Sequence, residues 1–321
     1  MQNYSLVLAG WRVEDRGVSP RDIALAVGVA AIWGVNFVMI ELGLEQLPPL
    51  LFSALRFGLA AFPAVLLVGR PTAPWRWVIA VGLTLGVVKF TLLFFGMYAG
   101  MPAGLSSLVL QSQAIFTVLI AAVVLKERPT RVQLIGLGAA TSGLVLVAWQ
   151  LGPERPALAF VLVIASAAAW GVSNVAIRRA APRDMLNFMV WVSAVAAPVL
   201  AALSLAVDGP AADLAALRSL TWQSVLALAY IAGLSTLAGW AAWGGLIRRY
   251  GASTVAPFSM LVPFFGIASG ALLLAETVRL TDILGGVLVV GGVLIGARAH
   301  RQPQAPGALA EVRPVVAARR S

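Results

Sequence analysis

The chain has 321 residues, 60% of them apolar and 11% charged, no cysteine and a formal net charge of +10. Soluble domains carry about 25% charged residues, so this chain cannot cover itself with a charged surface and reads as an all-α membrane protein. The missing cysteines exclude disulfides, thiolate chemistry and cysteine-ligated metals; the positive charge sits in loops beside the membrane, which points to topology in a lipid bilayer and not to nucleic acid.

Residues 1–21 hold only a short apolar run before Glu14, Asp15 and Arg16, so they read as a cytoplasmic tail and not as a secretory signal. Uncharged runs near the ~20 residues needed to cross a bilayer core then predict ten helices. They fall at 22–41, 48–69, 75–97, 102–125, 131–150, 157–177, 185–207, 221–246, 252–275 and 281–298. Pro48, Pro49, Pro102 and Pro156 mark helix starts, where a missing N–H costs little. With the N-terminus inside, inner segments carry eighteen Lys or Arg and outer loops carry three, Arg155, Arg218 and Arg279. That excess puts both termini in the cytoplasm.

The stretch 100–127 is the most unusual of the ten: it opens at Pro102, carries Gln111 and Gln113 in its middle, and ends in Lys126, Glu127 and Arg128. An echo of it runs from Gly251 through Pro257 and Pro263 to Glu276. Likewise Ala31-Ile-Trp-Gly-Val-Asn36 resembles Ala168-Ala-Trp-Gly-Val-Ser173, and helix five resembles helix ten. Residues 22–150 and 157–298 therefore read as two repeats of five spans. Five is odd, so the second copy crosses in the opposite sense, as in many secondary transporters with a site at the repeat interface. The tail 299–321, with three prolines and scattered charges, is expected to be disordered.

Two cations fall inside spans. Arg56 lies about eight residues into helix two and Lys89 about fourteen into helix three, near the bilayer middle. A charge facing lipid there would cost roughly 2.5–3.5 kcal/mol. Each can receive a substrate carboxylate or serve structurally, Arg56 by bonding helix-end carbonyls or Glu41. On helix four, Ser107 and Gln111 share one face and Ser106 and Gln113 another, so one glutamine can face a cavity while the other bonds a neighbour. An amide donates and accepts, which suits a zwitterion; the alternative is interhelical bonding worth about 0.6–2 kcal/mol. Asn36 and Asn174, near Trp33 and Trp170, are further cavity candidates, with Ser259 and Trp240; both Trp33 and Trp170 can equally be packing residues. Pro257 and Pro263 predict a bend in helix nine that helps a cavity open, and Arg56 and Pro102 are structural or gating candidates. Glycines 285, 286, 291, 292 and 296 predict a packing face. His300 reads as incidental. No membrane serine or threonine has a histidine or carboxylate partner and no cluster suits a metal, so neither catalysis nor a cofactor is expected.

These features resemble the EamA-like branch of the drug/metabolite transporter superfamily, over residues 22–298. Within that branch the likeness is to the bacterial exporters of O-acetylserine and cysteine. It rests on Trp-Gly-Val-Asn-Phe-Val at 33–38, Pro-Pro-Leu-Leu-Phe-Ser-Ala-Leu-Arg-Phe at 48–57, the 100–114 segment with Pro102, Gln111 and Gln113, Arg-Arg-Tyr-Gly at 248–251, and Val-Ala-Pro-Phe-Ser-Met-Leu-Val-Pro at 255–263. The resemblance implies a multi-pass inner-membrane protein, monomeric or homodimeric, exporting small amino-acid metabolites by alternating access. Its cavity would be lined by helices one, three, four, six, eight and nine. Lys89 departs from the uncharged polar residue of the better-known exporters, which implies a shift towards more acidic substrates. Rival readings are an exporter of aromatic or other amino acids or metabolites, and a membrane scaffold or enzyme without transport; midspan glutamines and an unpaired midspan lysine favour a cavity.

Overall fold

The structure, a computed structural model, describes residues 18–152 and 156–298; the rest of the predicted tails, with His300, lies outside the described residues. Among the described residues, ten helices are long and apolar enough to cross a membrane. They are α1 (Pro20–Leu44), α2 (Pro49–Leu67), α3 (Trp75–Tyr98), α4 (Ala103–Val124), α5 (Arg131–Ala148), α6 (Ala157–Ala180), α7 (Met185–Val207), α8 (Trp222–Tyr250), α9 (Ala256–Leu273) and α10 (Leu280–Ala297). A short helix, Pro210–Arg218, joins α7 to α8. Each predicted span overlaps one of these helices.

Their ends follow from local chemistry. Ser19 caps α1 by accepting from the Asp22 N–H at 3.2 Å, with Pro20 in the first turn. Asp22 in turn ties α1 to the end of α8, accepting from the Tyr250 hydroxyl at 2.6 Å and pairing with Arg249 at 3.2 Å. Thr130 and Gln133 form a reciprocal capping box at the start of α5.

The helix pairings repeat. α5 packs on α10, α2 on α7 and α4 on α9. The contact of α1 with α9 has its counterpart in α6 with α4; α1 with α8 matches α6 with α3; α2 with α8 matches α7 with α3. Exchanging each helix for the one five places away reproduces these pairings.

Irregular winding repeats too. Gly82–Lys89 in α3 and Tyr230–Ala238 in α8 wind as π-helix. Leu110–Ser112 in α4 and Ala256–Leu261 in α9 wind as 3-10 helix. Prolines account for α9, where Pro257 opens the 3-10 stretch and Pro263 opens the α-helical stretch after it. α4 makes the same change with no proline.

The glycine of each Trp-Gly pair sits where two backbones nearly touch. A Cβ on Gly34 would meet the Phe265 side chain and lie 2.8 Å from the Gly266 nitrogen of α9. A Cβ on Gly171 would lie 2.8 Å from Phe116 Cβ and 3.0 Å from the Thr117 nitrogen of α4. The α5–α10 seam is also bare: a Cβ on Gly143 would lie 2.6 Å from the Gly285 carbonyl, and one on Gly292 would lie 2.6 Å from the Ala140 nitrogen. Of the predicted packing face, Gly285, Gly292 and Gly296 carry the contact, the last with its nitrogen 2.8 Å from a Cβ on Gly136, whereas nothing lies within 4 Å of a Cβ on Gly291.

Gly34→Ala and Gly171→Ala are each expected to destabilise the protein by about 1–3 kcal/mol through overpacking. Gly28→Ala, where nothing lies within 4 Å of the added Cβ, is expected to be neutral or stabilising by up to about 1 kcal/mol. Thermal unfolding of the purified variants in detergent checks the contrast.

Candidate functional site

Arg56 of α2 and Lys89 of α3 are both 4% exposed, in the interior between the two halves. The Lys89 ammonium lies 3.4 Å from the centre of the Phe90 ring and 4.8 Å from that of Trp170 on α6. The Arg56 guanidinium lies 3.9 Å from the same Phe90 ring, 4.8 Å from Phe57 and 5.8 Å from Phe94. Two cations so close to one ring centre are within about 7 Å of each other and repel by roughly 2 kcal/mol at an effective dielectric constant near 20. Neither has a carboxylate partner among the described residues. Asp22 is held by Arg249 and Tyr250, Glu127 by Arg178, and Asp213 by Ser204.

Hydrogen bonding leaves the pair unfinished. Arg56 Nη2 donates to Thr236 Oγ1 of α8 at 3.4 Å, while Nε and Nη1 are buried without a partner. Neither Glu41 nor a helix-end carbonyl bonds Arg56. Ring faces are worth about 2 kcal/mol to a desolvated cation, less than the several kcal/mol each charge loses on leaving water. A carboxylate placed between Arg56 and Lys89 would supply the missing acceptors. Counted from Trp75 and Trp222, which open α3 and α8, Thr236 stands at the place in the second half that Lys89 holds in the first. The charge is therefore confined to one repeat.

The two glutamines of α4 part company. Gln113 faces α6: its Oε1 accepts from Asn174 Nδ2 at 2.5 Å, and Asn174 also donates to Thr117 at 3.0 Å. These three side chains bind α4 to α6. Gln111, in the 3-10 turn and 5% exposed, faces α9, with Nε2 3.6 Å from the Met260 sulfur. Ser107 lies on that same α9-facing side, where a Cβ on Gly266 would meet it. Buried Asn36 Oδ1 on α1 and Ser112 Oγ on α4 have no partner.

The tryptophans divide in the same way. Trp33 donates to the Ser235 carbonyl of α8 at 3.0 Å and packs 5.3 Å from Trp240 and 5.1 Å from Trp243. Trp170, its counterpart, reaches α3 and covers Lys89. Ser259 donates to Ala256 of its own helix at 2.7 Å. Pro102 precedes the α4 N-terminus, where the Ala103 and Gly104 N–H groups donate to the Glu276 carboxylate at 2.6 and 2.9 Å. Phe90 as a shared platform, Thr236 as the Arg56 acceptor and Glu276 as a cap were not foreseen from sequence; the match of Thr236 to Lys89 and the echo of Glu127 in Glu276 were the signals available. Among the described residues, no group of three or more His, Asp or Glu could hold a metal ion.

Comparison with known proteins places this architecture. The profile of the EamA-like transporter family matches residues 21–149 and again 157–297, five helices each time. A protein of Salmonella typhimurium named "Probable amino-acid metabolite efflux pump" is 39% identical over 301 residues, 90% of this chain and 100% of that protein. The Escherichia coli protein of the same name is 38% identical over 87% of this chain and 95% of its own length. A "Probable terminal-alkyne amino-acid exporter" of Streptantibioticus cattleyicolor is 28% identical over 86% of this chain and 94% of its own. A solved crystal structure shares the fold with a TM-score of 0.58 at 20% identity, covering 89% of this chain and 100% of that one. The chain belongs to the EamA-like transporter family, and is a multi-pass bacterial inner-membrane transporter and not an enzyme.

Proposed function

We propose that this protein exports small amino-acid metabolites of the O-acetylserine and cysteine type from the cytoplasm by alternating access, with both termini inside. The names of the relatives support the class of cargo. The observation that carries the site is the buried, uncompensated pair Arg56 and Lys89. The substrate carboxylate binds there, between α2, α3, α6 and α8, with Gln111 and Asn36 contributing amides from α4 and α1. Gln113 and Asn174 hold α4 against α6 and position the wall of the path. The two repeats, 22–150 and 157–298, move against each other around this point.

The same pair orders the substrates by charge. An α-ammonium arriving beside two cations finds no carboxylate to receive it, whereas a second carboxylate or a capped amine adds attraction or removes repulsion. Within that cargo class, net-neutral members such as O-acetylserine are carried, and net-anionic ones are carried more efficiently.

Cells that overproduce the protein are expected to tolerate higher external levels of toxic amino-acid analogues and to accumulate exported metabolites in the medium. If neither changes across a panel of amino acids, export is the wrong reading. In proteoliposomes, glutamate should be transported at least several-fold more efficiently than its isostere glutamine, and N-acetylserine more than O-acetylserine. Lys89→Gln should erase that order and lower kcat/KM for the anionic member about tenfold or more, as expected for losing a hydrogen bond to a charged group. Equal efficiencies in wild type, with transport plainly present, would refute the charge preference alone.

A further inference from the structure

The two ends of the repeat interface are not in the same state. Each repeat closes its fourth span with a leucine and, two residues on, a glutamate, in Leu125-Lys126-Glu127 after α4 and Leu274-Ala275-Glu276 after α9. Lys126 and Ala275 both take left-handed backbone, at φ 56° and 53°, which is uncommon for residues with a side chain. The same turn is thus built twice, and it aims a glutamate at the bundle each time.

The glutamates have gone to different partners. Glu276 reaches across to the other repeat and accepts from the first two N–H groups of α4, Ala103 at 2.6 Å and Gly104 at 2.9 Å. Those groups have no partner within their own helix, and the helix dipole adds to the attraction for a carboxylate. Glycines make the seat. A Cβ on Gly104 would lie 2.9 Å from a Glu276 oxygen and 2.9 Å from Ile267 Cα, and one on Gly270 would collide with the carboxylate. By the repeat, the place for Glu127 is the first turn after Gly251, at the backbone N–H groups of Ala252 and Ser253. Glu127 instead bonds Arg178 at the end of α6, at 2.7 and 3.4 Å, with both side chains close to half exposed.

We propose that Glu276 and Glu127 are alternating latches, each holding one end of the repeat interface shut in one of the two transport states. Resting on the alternating-access reading and its topology, the structure is the state closed on the outside. Glu276 is docked on α4 at the outer end, and Glu127 is parked on Arg178 at the inner end. In the opposite state Glu127 leaves Arg178 for the first turn after Gly251, and Glu276 lets go of Ala103 and Gly104. Arg178 is then a holding partner that keeps the inner glutamate from binding lipid headgroups or solvent cations while its latch is open.

The chain has no cysteine, so a single introduced thiol reports cleanly. Leu105, 4% exposed and beside Glu276 in the outer cleft, is the reporter as Leu105→Cys. In intact cells the full-length protein is treated with a membrane-impermeant maleimide from outside. Glu276→Gln should raise the labelling rate about tenfold, the effect of losing a charge-assisted bond to backbone donors; Glu127→Gln should leave it at or below the rate of the parent. Glu276→Asp, which keeps the charge and shortens the reach, should fall between. Equal rates in all variants, or a rise in both glutamine variants, would overturn the latch, since a merely structural role moves both in one direction. The rates are read without substrate, so they decide on the latch even in a protein that exports nothing. A parent protein that exports none of the panel removes the export reading independently.

Discussion

Arg56 and Lys89 are pressed onto one phenyl ring in the interior of a ten-helix bundle, and the surrounding structure has to hold them there. A lone charge in such surroundings would normally be neutralised or drawn to the surface. Here the escape routes are blocked by packing. Phe57 is the chain neighbour of Arg56, Phe94 stands one helical turn beyond Phe90, and Trp170 closes over the lysine from α6. The Lys89 carbonyl is itself fixed by the Ser166 hydroxyl of α6 at 2.8 Å. Both halves of the chain contribute to this cage, so the charge pair survives only while the halves are engaged.

Much of the fold was readable from sequence because a membrane span is a strong signal: length, apolarity and flanking charge all agree. The echo of Trp33-Gly34 in Trp170-Gly171 was readable as well, and the close crossings at those glycines give it a cause. The π-helical stretches of α3 and α8 were not readable, since an extra residue per turn leaves no mark in apolar sequence. The division of labour between Gln111 and Gln113 could be stated only as an alternative, because helix geometry says that they point apart but not which neighbour each meets. Glu276 was readable as the end of the second copy, but its capping role was not, for a different reason. It sits in a connection, and its partners are backbone N–H groups that any residue carries.

The two repeats share geometry but not chemistry. Several neighbour relations, irregular turns and left-handed connections recur, while among the described residues the buried midspan cations lie in the first half alone and Thr236 stands opposite Lys89. On the proposed alternating-access reading, symmetry of the backbone would supply two equivalent ways of packing the same helices, and asymmetry of the side chains would set what is bound on the way between them. A carrier needs both. A fully symmetric site would have no preferred face for a polar cargo, and a fully asymmetric scaffold would have no second arrangement of comparable energy.

The α5–α10 seam has one more consequence. Its helices meet at bare backbone through Gly136, Gly143, Gly285 and Gly292, and one of them comes from each repeat. Neither repeat could keep that contact by itself. A solitary copy would have to find a second copy running the other way in the same membrane to recover it. The single chain removes that search by carrying both copies in the same polypeptide. A side chain admitted at Gly143 would meet the Gly285 carbonyl, which is backbone that no smaller residue can withdraw, so neither half can enlarge its face of the seam without displacing a whole helix of the other.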